Sequence, residues 1–157
     1  MPVEEDAAKM WELVKIDPHL DLNSLYYYLM VTTHLRETCV VAENGHQFLG
    51  FASGMILPRE PNTLFVWQIA TTPSYRGRGL GTTLLEELLE RPYRAPVRYL
   101  SATITPDNDA SWHLFHKIAK RHKTRLATLG QLKRQWFAPE NHDEEQIIKI
   151  GPFPIQP

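Results

Sequence analysis

Cysteine is almost missing from this 157-residue chain, with Cys39 the single thiol. One thiol excludes an internal disulfide framework and suits a reducing compartment, so a cytoplasmic protein is expected. No apolar stretch approaches the roughly 20 residues that a membrane-spanning helix requires. No basic start runs into an apolar segment of the signal-peptide kind. Charge of either sign is in little excess, at a net −1, which argues against nucleic acid or a membrane surface as a dedicated partner. Internal repeats and low-complexity segments are also lacking. What remains is 43% hydrophobic and 22% charged residues, the composition of one globular domain over residues 1–157 that can fold without staples.

Periodicity divides the chain into alternating elements. Ala7, Met10, Trp11 and Val14 mark one stripe of a helix over Val3–Ile16, ended by Pro18. Ser24 is placed to cap a second helix, Leu25–Leu35, after a polar loop (Asp17–Asn23) that holds Asp21. Thr38–Glu43 and His46–Ile56 read as strands joined by an Asn44-Gly45 hairpin, with Gly50 and Gly54 marking a bulge or a close approach. Pro58, Pro61 and Asn62 form a loop before a strand over Leu64–Thr71. A helix over Gly79–Glu90 and a strand over Val97–Ile104 follow, then a helix capped by Pro106-Asp107 that runs to about Lys120. Leu126–Leu129 and Gln146–Ile150 close the pattern as short strands around an irregular stretch. Hairpins mixed with crossovers predict one mixed sheet with helices on both faces, an α/β (α+β) fold.

The segment Leu64–Glu90 carries the strongest chemical signal. A strand passes through Pro73 into Arg76-Gly77-Arg78-Gly79-Leu80-Gly81 and then a helix. Alternate glycines let the backbone approach a bulky group, while loop N–H groups, a helix N-terminus and two arginines offer positive charge. Together these are the parts of a pyrophosphate cradle. From Lys117 to Arg134 there are seven Lys/Arg and no carboxylate, and from Glu140 to Glu145 four carboxylates and no Lys/Arg. The basic run reads either as a solvated helix end or as a landing strip for cofactor phosphates.

The hexapeptide Arg76–Gly81 fits the R-x-x-G-x-G pattern, and the order of elements resembles that of the GCN5-related N-acetyltransferases (GNAT). Asn108 with Ser111, Leu114 and Phe115 resembles that family's second signature. Trp11–Val14, Leu20–Ser24, Glu37–Ala42, Phe65–Gln68, Thr105–Asn108 and Ile150–Pro152 resemble the L-2,4-diaminobutyrate acetyltransferases of ectoine biosynthesis, over nearly the whole chain. The resemblance implies a single N-acetyltransferase domain with a mostly antiparallel, twisted mixed sheet. It implies acetyl-CoA as donor, the γ-amine of L-2,4-diaminobutyrate as acceptor, a homodimer, a cytoplasmic location and an osmoprotective product. Two departures stand out: the family's first strand is short or missing, and Phe115 stands where a tyrosine acid is frequent. Phenylalanine has no proton to give, so water, a backbone N–H or His116 would serve instead.

An alkyl amine with a pKa near 10 is about 0.1% neutral at pH 7, so the site must hold an ammonium group and also remove its proton. The resemblance places Asp21, Trp67 and Glu145 on the substrate. Glu145 is the first candidate for general base and His142 its nearest competitor. Phe65, Trp67 and Ile69 share one face of their strand and Val66, Gln68 and Ala70 the other, which leaves open the face that meets ligand. The resemblance assigns the donor to Ile69, Ala70 and Thr71, to Arg76, Gly77, Arg78, Gly79, Leu80, Gly81 and Thr82, and to Asn108, whose alternative role is helix capping with Asp107.

Of seven histidines, His113 and His116 share a helical face without a third ligand of settled spacing, so no metal is expected. Competing readings are an acetyltransferase for a polyamine or peptide N-terminus and a cofactor-sensing regulator without turnover. A nucleic-acid module is a third, but the basic run lacks aromatic stacking partners.

Overall fold

The computed structural model describes residues 1–138, 140 and 142–154. Among these, the elements are α1 (Asp6–Lys15), α2 (Leu25–Thr33), β1 (Cys39–Asn44), β2 (Gln47–Leu57), β3 (Glu60–Thr71), α3 (Leu80–Leu89), β4 (Tyr99–Ile104), α4 (Asp109–Arg121), β5 (Arg125–Leu132) and β6 (Glu145–Gly151). Short 3-10 helices lie at Arg36–Thr38, Pro73–Tyr75 and Arg134–Phe137. The strands form a sheet in the order β1-β2-β3-β4-β6-β5. The β3–β4 pair is parallel, whereas β1–β2, β4–β6 and β5–β6 are antiparallel. This is the mixed sheet that the alternation of hairpins and crossovers predicts, mostly antiparallel as the resemblance implies. The chain divides into two compact units, and the division runs through β3.

The first unit comprises Met1–Met55 and Val66–Arg91. Its α1 buries Ala7, Met10, Leu13 and Val14 against Tyr28, Val31, Cys39, Phe51 and Ala70. Leu13, not Trp11, completes the buried stripe; Trp11 packs at its margin with the Lys15 ammonium 4.5 Å above its ring. Ser24 caps α2 as its residue type requires, its Oγ accepting from the Tyr27 N–H at 3.3 Å. The Asn44-Gly45 turn joins β1 to β2, with Gly45 at φ 60°. Both expectations for Gly50 hold. The β1–β2 register shifts beside it, and a Cβ on Gly50 would meet the Ala70 carbonyl oxygen at 2.5 Å.

The second unit comprises Ile56–Phe65 and Pro92–Pro157. Leu100 and Ala102 of β4 pair with Ile150 and Ile148 of β6, and all four are buried. Phe115, Ile118 and Ala119 are the buried residues of α4. Two local expectations are corrected. Strand β3 begins at Glu60, so Pro61 and Asn62 lie within it and the turn from β2 is only Pro58-Arg59. A proline next to a strand end removes one ladder N–H and leaves the rest intact. The cap of α4 is Asn108, whose Oδ1 accepts from the Ser111 N–H at 3.0 Å, and not Pro106-Asp107.

Cys39 is fully buried, and burial pushes its thiol up to about 12 against the opposing pull of Arg91. Burial likewise raises the phenols of Tyr27 and Tyr28. The unfolded thiol titrates near 8.5, so above about pH 9 the unfolded chain binds fewer protons than the folded one and stability falls as pH rises. Urea midpoints are expected to be flat below about pH 8 and to decline from about pH 9 to 11, with a smaller decline in Cys39→Ala.

Candidate active site

In the first unit, the end of β3 leads directly into the arginine–glycine loop. Val66, Gln68 and Ala70 are buried, whereas Trp67 is 49% exposed. The alternation that left two faces open thus resolves with Phe65, Trp67 and Ile69 on the accessible side. Trp67 is not a core residue; its ring lies against Tyr27, with centroids 5.2 Å apart. The parallel ladder with β4 covers only Thr63–Phe65. Ile69, Ala70 and Thr71 therefore lie beyond that ladder, on a strand edge whose N–H and C=O groups suit an extended ligand arm.

Beyond the Pro73–Tyr75 turn, Gly77 and Gly79 take φ of 73° and 84°. A Cβ on either would meet nothing within 4 Å. The glycines are therefore required for backbone conformation, and the space in front of them is open to a bulky group. Gly79 is the N-cap of α3 and has no side chain to cap it. The first-turn amides of Leu80, Gly81 and Thr82 thus have no preceding carbonyl in the helix, which is the arrangement that receives phosphate oxygens.

The two arginines differ in role. Arg76 Nη2 bonds Asp17 Oδ2 at 2.6 Å, a carboxylate only 10% exposed, and so ties the glycine loop to the α1–α2 connection. Arg78 is exposed, with its guanidinium 5.1 Å from the Tyr75 ring centroid.

Asp21 sits in that same connection and is exposed. Its backbone carbonyl accepts from Gln68 Nε2 at 2.8 Å. Sequence reasoning did not select Gln68, Asp17, Tyr27 or Tyr28. The available signal for Gln68 was its place as the lone amide in the apolar run Leu64–Ala70.

The second unit brings His142 and Glu145 together. Glu145 opens β6 opposite Leu132. His142 Nε2 lies 3.5 Å from Glu145 Oε1, and both side chains are 16% exposed. The His142 ring stacks on Phe137, with centroids 4.3 Å apart, and its Nδ1 lies 2.6 Å from the Asp143 carbonyl oxygen. A carbonyl only accepts, so Nδ1 carries the ring proton and Nε2 faces Glu145. Asn108 contributes its oxygen to the α4 cap, as the alternative reading held.

The pattern of the acetyltransferase (GNAT) family matches residues 3–119. The chain belongs to this family. Among curated GNAT relatives, L-2,4-diaminobutyric acid acetyltransferase of Marinococcus halophilus is 45% identical over 97% of this chain and 88% of its own length. The protein of the same name from Virgibacillus pantothenticus is 42% identical over 98% and 96%. Among solved structures, diaminobutyrate acetyltransferase EctA from Paenibacillus lautus, in complex with its substrate L-2,4-diaminobutyric acid and coenzyme A, matches with a TM-score of 0.91. It is 34% identical, over 99% of this chain and 95% of that one.

Within the GNAT frame, Phe115 is a core residue at 2% exposure. Phe115 thus serves packing in α4, while the neighbouring His116 is exposed.

Proposed function

We propose that this chain transfers the acetyl group of acetyl-CoA to the γ-amine of L-2,4-diaminobutyrate, giving N4-acetyl-L-2,4-diaminobutyrate, the precursor of ectoine. The observation that carries this reading is the match along almost the whole chain to a solved acetyltransferase that holds both diaminobutyrate and coenzyme A. The open glycine loop, the uncapped start of α3 and the β3 edge beyond Phe65 fit such a donor. Acetyl-CoA supplies an acetyl thioester, a carbonyl carbon with a leaving thiolate.

Leu80, Gly81 and Thr82 hold the diphosphate with their amides, and Arg78 adds full charge. The edge of Ile69–Thr71 pairs with the pantetheine arm, and one of its N–H groups stabilises charge on the thioester oxygen. Loss of one such donor typically costs about 10²–10³ in rate. Asn108, with its oxygen in the helix cap, keeps its amide NH₂ for the donor.

Asp21 and Glu145 receive the ammonium groups, and Trp67 lies against the aliphatic chain, where a cation–π contact contributes about 0.5–2 kcal/mol. Glu145 removes the proton from the γ-ammonium, and Nε2 of His142 takes it onward. The neutral nitrogen then forms the C–N bond as the C–S bond breaks, and it gives up its second proton to water to leave the amide. The thiolate leaves near neutral pH and takes its proton from water.

We read residues 1–157 as one catalytic domain that acts as a homodimer in the cytoplasm, in the synthesis of an osmoprotectant. The one deeply buried thiol and the absence, among the described residues, of a helix long and apolar enough to cross a membrane accord with that location.

The test is turnover with acetyl-CoA across diaminobutyrate, ornithine, spermidine and a peptide N-terminus. Diaminobutyrate is expected to exceed ornithine at least tenfold in kcat/KM, since a misplaced methylene in a shaped pocket is worth about 10–200-fold. Equal turnover of the two would overturn the narrow specificity.

A further inference from the structure

Gln68 lies on the buried face of β3, 8% exposed, and both ends of its amide are engaged. Nε2 donates to the Asp21 carbonyl at 2.8 Å, and Oε1 accepts from the Tyr28 hydroxyl at 2.9 Å. The orientation follows from chemistry. The Asp21 carbonyl can only accept, so the amide nitrogen must face it, and the amide oxygen then takes the phenolic proton. The Gln68 backbone carbonyl accepts from Ser53 Oγ at 3.3 Å, and Ser53 Oγ meets the Tyr27 hydroxyl at 3.2 Å. The Tyr27 ring in turn lies against Trp67, the next residue on the strand. One side chain therefore fixes the backbone of the loop that bears Asp21, and its own strand position fixes Trp67 beside it.

We infer that Gln68 is a positioning residue for substrate: it registers the Asp21 loop against Trp67, so that carboxylate and indole present one fixed spacing to the diamine. The inference rests on the diaminobutyrate reading for Asp21 and Trp67. The amide acts from below the accessible face, on the side of β3 opposite Trp67. A polar residue in this place has a physical cost unless every group is paired. Here each is paired, and the partner gained is the carbonyl of the residue that the chemistry needs held still.

The test compares Gln68→Met, which keeps the volume and removes donor and acceptor, with Tyr28→Phe, which keeps the bond to Asp21. In Gln68→Met, KM for diaminobutyrate is expected to rise roughly tenfold, as for loss of one well-made hydrogen bond, with KM for acetyl-CoA within about twofold. Amide exchange at Asp21 and Leu22, on either side of the carbonyl that Gln68 holds, is expected to quicken in the same variant. Tyr28→Phe also loses a contact with Asn23, and is expected to leave the diamine KM and the exchange at Asp21 and Leu22 near wild type.

A diamine KM unchanged in Gln68→Met, equal losses for the two substrates, or equal losses in the two variants would overturn the inference. A wild-type protein inert toward diaminobutyrate would sink the functional proposal instead. The exchange measurement would still decide whether Gln68 holds the loop.

Discussion

Glutamine in place of Glu145 is expected to lower kcat for diaminobutyrate by about 10²–10⁴-fold, the usual contribution of a positioned general base. KM for acetyl-CoA should stay within about twofold. Glutamine keeps the size of the side chain at the head of β6 and its pairing with Leu132, so the strand is not disturbed. What it loses is the capacity to take a proton from an ammonium group. The His142 contact at 3.5 Å also changes, because Nε2 then faces an amide in place of a carboxylate. His142→Gln is expected to cost less, on the order of tenfold, since it receives the proton second. Raising the pH supplies more neutral amine and should recover part of the Glu145→Gln loss, but not that of a variant with a damaged donor site. If Glu145→Gln kept kcat within threefold of wild type, the base would lie elsewhere.

The double variant Gly77→Ala, Gly79→Ala is expected to raise KM for acetyl-CoA roughly 10²-fold. Both positions have positive φ, and a left-handed residue with a Cβ costs about 1–2 kcal/mol. Because a Cβ would meet nothing within 4 Å at either place, the cost is conformational, and the loop relieves it by leaving the phosphate-binding shape. Binding must then restore that shape. The melting temperature should fall little, since both residues are exposed or nearly so and belong to no buried contact. A large loss of stability with unchanged acetyl-CoA affinity would mean that these glycines serve the fold and not the donor.

The residues with local, backbone-level demands were legible in the sequence. Ser24 as a cap, Asn44-Gly45 as a turn and Gly77 and Gly79 before a helix each follow from one residue's own chemistry. Pro61 misled for the same reason: a local loop signal does not reveal that a strand can begin beside it. Trp67 was visible as a candidate, but period-2 alternation names two faces without saying which is covered; that depends on Tyr28 and Phe51, distant in sequence, which pack with Ala70 of the same strand.

Partnerships over long separations were not legible at all. The Arg76 guanidinium bonds Asp17, 59 residues away. Gln68 meets Asp21 across 47 residues. The candidates Asp21 and Glu145 came from resemblance to a family, because a single carboxylate in a polar stretch has no pattern of its own.

The product itself provides the most direct test of the account. Purified protein incubated with acetyl-CoA and L-2,4-diaminobutyrate should yield, by proton and carbon NMR, a single compound acetylated on the γ-nitrogen, with one free thiol released per acetyl group transferred. Acetylation on the α-nitrogen, or thiol release without any acetylated diamine, would contradict it.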